Sequence, residues 1–524
     1  MLFEFNYNRK QIPQTPFPFG EGLGMGLQNE ISMNKLKISI LSLALLCVLR
    51  VSADDYKASL FGIKSNGTTM NTTAIQKAID YIHEKGGGTL VFYVGRYLTG
   101  HIELKSNVKI KLEEGAILVG STNIYDYNIN TSYSSLVFAY QAENIAITGK
   151  GVIDGQGRDV AYNLVDQIHK GIILDEMKND RPGSRRPRAI YLRECKNVEI
   201  SGINIRNSAD WVQVYDQCQN LYVDGITVDS KSYWNNDGID VVDCDGVVIK
   251  NSYFDAADDV ICFKSHSAEH ICQNVVVDNC VGRSSANGLK FGTVSRGGFR
   301  NFKVTNLTIF DTFRSAITFA AVDGGEISNI VVDGVRSINT GNVIYLRIGD
   351  RWSKGKKPFM KDITISNVYA EVPFGKPDAG YNYEGPVEDL PRNISPASIV
   401  GLPDYKIQNV RLKNIEIVYP GAGNPLYAKR GLTSADLDSI PEMRTAYPEF
   451  SQFKELPAWG FYIRHAQGIT FENVKLIAQK KDYRPAIVMD DVQGATFKGM
   501  QYNEPESNGK KQLFYQKSEN VITE

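Results

Sequence analysis

Neither sign of charge dominates this chain. Lysine and arginine number 58, aspartate and glutamate 59, and the formal net charge is -1. That balance excludes the basic footprint of a nucleic-acid binder. Long helical periodicities are scarce, whereas glycine, asparagine, valine and isoleucine recur throughout, which favours an all-β chain. Cysteine is sparse, 7 in 524 residues, and no CxxC pair or Cys/His spacing suggests zinc. The apolar run from Ile38 to Leu49 is too short to span a bilayer as a mature helix.

That run reads instead as part of an export signal. Met33-Asn-Lys-Leu-Lys is a basic n-region, and Val51-Ser-Ala53 offers small residues before Asp54-Asp55. Residues 1–32 are expected to be an upstream extension, 33–53 a signal peptide, and 54–524 a periplasmic or secreted domain without a membrane span, working as a monomer. Cys47 leaves with the signal, and Leu46 before it fits a lipoprotein signal poorly. The remaining six cysteines, Cys195, Cys218, Cys244, Cys262, Cys272 and Cys280, allow disulfides. Four of them open Cys195-Lys-Asn, Cys218-Gln-Asn, Cys244-Asp-Gly and Cys272-Gln-Asn at one repeating phase, which predicts a buried stack of thiols.

The repeat sets the fold. Asn197-Val-Glu-Ile-Ser-Gly-Ile-Asn-Ile is followed by Asn220-Leu-Tyr-Val-Asp-Gly-Ile-Thr-Val, then by Gly246-Val-Val-Ile and Asn274-Val-Val-Val. The pattern returns at Asn301, Asn329, Asp362, Asn409, Gly468 and Gly494, and its period of roughly 23–33 residues is that of a solenoid. Alternate apolar residues point inward, and Asn or Gly marks the corners where left-handed backbone is needed. A single right-handed parallel β-helix is expected. Ser59 to Asn71 reads as a strand and a turn. Thr73 to Glu84 reads as a helix, capped by Asn71 or Thr72, that covers the open end. Insertions near 161–188 and 373–404, and a weak repeat over 425–457, predict projecting loops.

Within this frame Asn235-Asn-Asp-Gly-Ile-Asp240 and Ala257-Asp-Asp-Val-Ile261 lie about one coil apart. Stacked coils bring Asp237, Asp258 and Asp259 onto one outer face, since adjacent strands sit about 4.8 Å apart. Such carboxyls can supply a general acid and a base for water, the requirement of glycoside hydrolysis. Asp243 and Asp245 fit corner positions instead.

These motifs carry a resemblance. The chain resembles the polygalacturonase family, glycoside hydrolase family 28, over nearly all of residues 54–524. Gly95-Arg-Tyr-Leu-Thr-Gly-His-Ile-Glu-Leu-Lys-Ser-Asn-Val, Leu112-Glu-Glu-Gly-Ala, Ile153-Asp-Gly-Gln-Gly and Trp211 fit it. The family's Asn-x-Asp-Gly stands at Asn235-Asn-Asp237-Gly and its Asp-Asp pair at Asp258-Asp259. The resemblance implies an inverting hydrolase without cofactor or metal, with Asp258 as general acid and Asp237 and Asp259 holding and deprotonating water. It also implies an acidic plant polysaccharide as substrate: pectin, of galacturonan or rhamnogalacturonan type.

Departures bear on the substrate. The family's Gly-His-Gly falls at Ala286-Asn287-Gly288, and its carboxylate-gripping Arg-x-Lys at Ile317-Thr-Phe319. Lys264, Lys290 and Arg347 are candidates for a substitute clamp, with Arg314 and Arg351 nearby. Asn235, Asn287 and Arg314 join the expected sugar contacts. Tyr233 and Trp234 offer stacking surfaces, with Trp211, Trp352 and Trp459 as alternatives. His465 is a candidate to enter the site from a C-terminal coil, while His266 and His270 have no assigned place. Two rivals stand: a polysaccharide lyase with calcium on the three acids, and a carbohydrate-binding β-helix with spent acids.

Overall fold

Asparagine closes the coils. Left-handed backbone is costly for most residues, and asparagine tolerates it best after glycine. Asn197, Asn220, Asn274, Asn301, Asn329 and Asn409 all adopt it, with φ of 53–60°, as do Gly246, Gly468 and Gly494. Their amides form a ladder along the axis: Asn197 donates to Asn144 (2.9 Å), Asn220 to Asn197 (3.1 Å), Asn301 to Asn274 (3.1 Å) and Asn329 to Asn301 (2.7 Å). A second ladder runs along the next corner, through Asn251–Asp224 and Asn279–Asn251, both 2.8 Å.

The computed structural model describes residues 54–128, 131, 133–175, 185–375, 377 and 392–524; the extension and export signal read at 1–53 lie outside the described residues, as do 176–184 of the first insertion and 376 and 378–391 of the second. The strands form one continuous sheet wound as a right-handed parallel β-helix. One column of it carries the site. Arg188–Arg193 pairs with Gln213–Asp216, which pairs with Ile239–Val242, then Ile261–Ser265, then Leu289–Ser295, then the end of Gly298–Ala321, all parallel. Alternation sends Tyr215, Val241, Phe263, Phe291 and Phe319 into the core, where Phe291 meets Phe263 at 5.2 Å and Phe319 at 4.4 Å between ring centres. Their neighbours Asp240, Cys262, Lys290 and Thr318 share one row on the opposite face.

Helix α1 (Thr72–Glu84) buries Ile75, Ala78, Ile79 and Ile82 over the first coil. Its capping differs from expectation. Asn71 precedes it but exchanges bonds with Lys64 and donates to the Leu98 carbonyl, and the Thr72 hydroxyl accepts from Gly100 N–H at 2.7 Å. The strand expected from Ser59 lies earlier, at Asp55–Lys57, and Ala58–Phe61 is a 3₁₀ turn. The first insertion is helical at its start: α2 (Gly157–His169) buries Val160, Ala161, Leu164 and Ile168, a periodicity hidden among polar residues.

The weak stretch has its own core. It contains α3 (Ser434–Asp438), closed by a Thr433/Asp436 capping box, and the 3₁₀ turn Phe450–Phe453. Leu437, Ile440, Phe450, Phe453 and Leu456 pack on Tyr345, Val400, Tyr462 and Val488, which project from later coils.

All six cysteines in the described domain are buried free thiols. Cys195, Cys218, Cys244 and Cys272 stack on successive coils, and Cys218 N–H donates to Cys244 Sγ at 3.3 Å. Among the described residues no helix is long and apolar enough to cross a membrane.

Candidate active site

The turn that presents the first acid is built around Asn236. Its side-chain oxygen accepts from Ser230 Oγ (2.8 Å), Ser232 N–H (3.1 Å) and Ser232 Oγ (3.1 Å), and its amide donates to the Asp210 carbonyl (3.0 Å). Asn235, at φ 60°, turns the chain. Arg186 locks the turn from outside. This buried side chain donates to Asn235 Oδ1 (2.9 Å) and to the Trp234 and Ala209 carbonyls, and it pairs with Asp210 at 3.3 Å.

Asp237 and Asp259 occupy one position of successive coils, with Gly238 N–H bonded to the Asp259 carbonyl. Asp258 stands one residue before, and one oxygen from each of the three carboxyls lies within 4.8 Å of the others. Asp259 is the most firmly held. Oδ2 takes a 2.6 Å ion pair from Lys290, while Oδ1 accepts the Asn287 amide (2.8 Å) and N–H (3.1 Å). Asn287 is fixed in turn by the Thr318 hydroxyl at 2.9 Å. Asp237 meets Lys264 at 3.4 Å, and its Oδ1 is buried with no hydrogen-bond partner. Asp258 is the most open of the three; it accepts its neighbour's N–H at 3.0 Å and approaches the Asn235 amide at 3.5 Å.

Their electrostatics separate. Burial raises the Asp237 carboxyl well above the ordinary range, helped by negative Asp240 and Asp258. Burial and the Asp259 charge raise Asp258. Burial alone would raise Asp259 too, but Lys290 and Lys264 outweigh it and hold that carboxyl at about 2. Three carboxyls at this spacing could hold a cation. The ammonium groups of Lys264 and Lys290 already lie against two of them and oppose a second positive charge there.

The structure gathers Asn235, Asp237, Asp258, Asp259, Lys264, Asn287, Lys290 and Arg314 at one face, but it uses the cations differently from a clamp. Lys264 bridges Asp237 and Asp240 (3.2 Å) and lies 4.6 Å from the Trp211 ring centre. Arg314 pairs with Glu449 at 2.7 Å. Arg347 is 2% exposed and donates to the carbonyls of Gly401, Glu442 and Met443, so it anchors the 434–457 segment rather than facing the acids. Arg351 grips Asp323 with two bonds, at 2.9 and 3.1 Å.

Ile317 and Phe319 point into the core, so the outward residues of that strand are Thr318 and Ala320, and neither is cationic. Tyr233 is 3% exposed beneath Arg186, which removes it as a sugar platform; Trp234 is half-buried against the core. Trp211, beside Lys264, is the better-placed ring, while Trp459 is buried and Trp352 lies under Arg351. His465 bridges Asp491 (2.7 Å) and Glu442 (3.1 Å) at the base of the 434–457 segment.

Four participants escaped the sequence reading. Asp240 stood in the quoted motif, and strand alternation from Asp240 to Lys290 would have found it. Arg186 lay in a basic run read only as a loop. Tyr447, whose hydroxyl bonds Lys290 at 3.0 Å, and Glu449 lie where no repeat gives a register.

Comparison with known proteins agrees with this frame. The chain is 29% identical over 246 residues to an exo-poly-alpha-D-galacturonosidase of Dickeya chrysanthemi, a match covering 39% of this chain. It spans 40% of that curated relative's length. Two solved structures share the fold. A family 28 exopolygalacturonase of Yersinia enterocolitica has a TM-score of 0.58 at 20% identity, covering 89% of this chain and 78% of that one. An exopolygalacturonase of Thermotoga maritima has a TM-score of 0.56 at 22% identity, covering 70% and 87%. The profile of glycosyl hydrolases family 28 matches residues 89–371, more than half of the sequence and the whole acid-bearing region, and the chain belongs to that family.

Proposed function

We propose that this protein hydrolyses glycosidic bonds of a pectic polysaccharide, of galacturonan or rhamnogalacturonan type, with Asp258 as general acid and Asp259 as base toward water. The observation that carries this reading is the unequal setting of two adjacent carboxyls, one clasped by Lys290 and Asn287 and one open. Lys290 and Asn287 hold Asp259 by an ion pair and hydrogen bonds that favour its charged form, whereas Asp258 is the most open of the three and is raised by burial and the Asp259 charge, which suits a proton donor to the leaving oxygen. The unpartnered Oδ1 of Asp237 accompanies Asp259 on the same position of the next coil and orients the water. The names of the relatives, both galacturonan-cleaving, support the substrate class. The export signal read at 33–53 suits a polymer outside the cell, and a monomer suffices because every group invoked lies on one chain.

The family resemblance implies inversion. Inverting pairs usually stand about 6.5–9.5 Å apart, and here the closest oxygens are within 4.8 Å. That close spacing is nearer the one usual for retaining pairs, so the anomeric outcome is the point on which the family's mechanism is tested.

Wild type and Asp258→Asn, incubated with homogalacturonan, rhamnogalacturonan fragments and neutral glycans, with and without a chelator, test the assignment. Saturated reducing products that ignore the chelator and vanish in the variant are expected. Unsaturated, chelator-sensitive products would establish a lyase, and binding without turnover would establish a spent site. Proton NMR of the first-formed anomer should show inversion; retention would make one carboxylate a nucleophile.

A further inference from the structure

The cations around the acids are already spoken for. Lys264 serves Asp237 and Asp240, Lys290 serves Asp259, and Arg351 serves Asp323. Arg314 belongs to the acid face: it stands two coils from Asp258 at the same position, and burial and the Asp259 charge on Asp258 are partly offset by it. Its partner comes from outside the coils. Glu449, in the 434–457 segment, meets Arg314 at 2.7 Å with both side chains largely buried, and Tyr447 two residues earlier reaches Lys290. An anion thus already occupies the guanidinium that stands on the acid face.

We propose that Glu449 is a specificity-determining residue, an internal carboxylate that saturates Arg314 so that the sugar held between the acids and the 434–457 segment is uncharged. The inference rests on the hydrolase reading above and narrows it: the ring bound there is a neutral or deoxy sugar of a pectic backbone, not a galacturonate.

The physics is an exchange. A substrate carboxylate that displaced Glu449 would gain one buried ion pair and lose another, and Glu449 would be left desolvated and unpaired. One that did not displace it would find each cation of the face already paired, Lys264 with Asp237 and Asp240, Lys290 with Asp259 and Arg314 with Glu449. Both routes disfavour a charged sugar, so the site discriminates by a filled clamp. A neutral ring meets neither cost and can lie against Tyr447, which is 38% exposed.

The test is the substrate preference of wild type, Glu449→Gln and the double variant Glu449→Gln/Arg314→Met, with thermal melting as a folding control. Wild type should prefer a rhamnogalacturonan oligosaccharide to an oligogalacturonide of equal length. Freeing Arg314 in Glu449→Gln should raise kcat/KM on the oligogalacturonide by about tenfold or more, with a smaller change on the other substrate. The double variant should lose that gain, which a merely structural role for Glu449 would not produce. A wild type that prefers oligogalacturonide, or a Glu449→Gln that changes both substrates alike, overturns the proposal. If neither substrate is turned over, the hydrolase reading fails separately; calorimetric affinities of the same two oligosaccharides then decide this one, with the same reversal expected and equal or absent binding overturning it. Should Glu449→Gln not fold, the same comparison on Glu449→Asp, which keeps the charge but shortens its reach, should show a smaller gain of the same sign; no gain overturns the proposal.

Discussion

Two regions face the same cleft and are built on different principles. The coils from Arg188 to Ser295 form a ladder in which a residue's neighbours follow from the register, so Asp237, Asp259 and Asn287 fall into line by construction. The 434–457 segment has no register. It is held by its own apolar cluster and by arginines that reach into its backbone: Arg347 to the Glu442 and Met443 carbonyls and Arg464 to that of Ile440 at 2.7 Å. On the function proposed above the regular region carries the reaction chemistry, and on the specificity proposed above the irregular one shapes what is offered to it.

Substitutions should separate the two roles, the largest effect coming from the coils. Asp258→Asn should lower kcat by about 10²–10⁴-fold with the melting temperature little changed; steady-state kinetics beside a melt will tell, and near-normal turnover would remove Asp258 from the reaction. Arg186→Met should come next. It leaves buried Asp210 short of a partner and the Trp234 carbonyl unbonded, so denaturant unfolding should report a loss of about 3–5 kcal/mol.

Lys290→Met should move the pH profile. As the proposed base, the Asp259 carboxyl, held at about 2, must be ionised to accept a proton, so activity should be present above that value and be lost as pH falls through it. Without the ammonium the carboxyl rises, and the acidic limb of kcat/KM should shift upward by about one unit or more. An unmoved limb would mean that another group is the base. The basic limb, set by the raised Asp258, is lost as pH climbs through that group's value and should move less, because Lys290 ranks below burial, Asp259 and Arg314 among its influences. The smallest effect belongs to the irregular region. Tyr447→Phe removes one hydroxyl bond to Lys290 and should change KM by less than about threefold at unchanged kcat; a kcat loss as large as that of Asp258→Asn would erase the division between the regions.

The same contrast explains what the sequence disclosed. Coil corners were legible because left-handed backbone selects asparagine and glycine, and each predicted corner from Asn197 to Gly494 has positive φ. The acids were legible because a repeat of known phase turns sequence spacing into spatial contact. Arg347 was misjudged because phase gives a position and a face but not a partner; its guanidinium meets carbonyls contributed some 95 residues later in the chain. Helix α2 was missed because four buried residues among polar ones carry too weak a period to stand out. Glu449 could not be read at all, since nothing local to it encodes Arg314.

The asparagine ladder has one more consequence. Several rungs are chemically the same, so a chain that mispaired by one whole coil would still satisfy many of these amides. Periodic bonds reward stacking but cannot count. What counts are the features that occur once: the packed rings Phe263, Phe291 and Phe319, and the Asn236 turn that Arg186 clasps from another coil. The acid face exists only when Asp237 and Asp259 are immediate neighbours, so these unrepeated contacts act as the index marks that tell a largely repetitive spring where its turns belong.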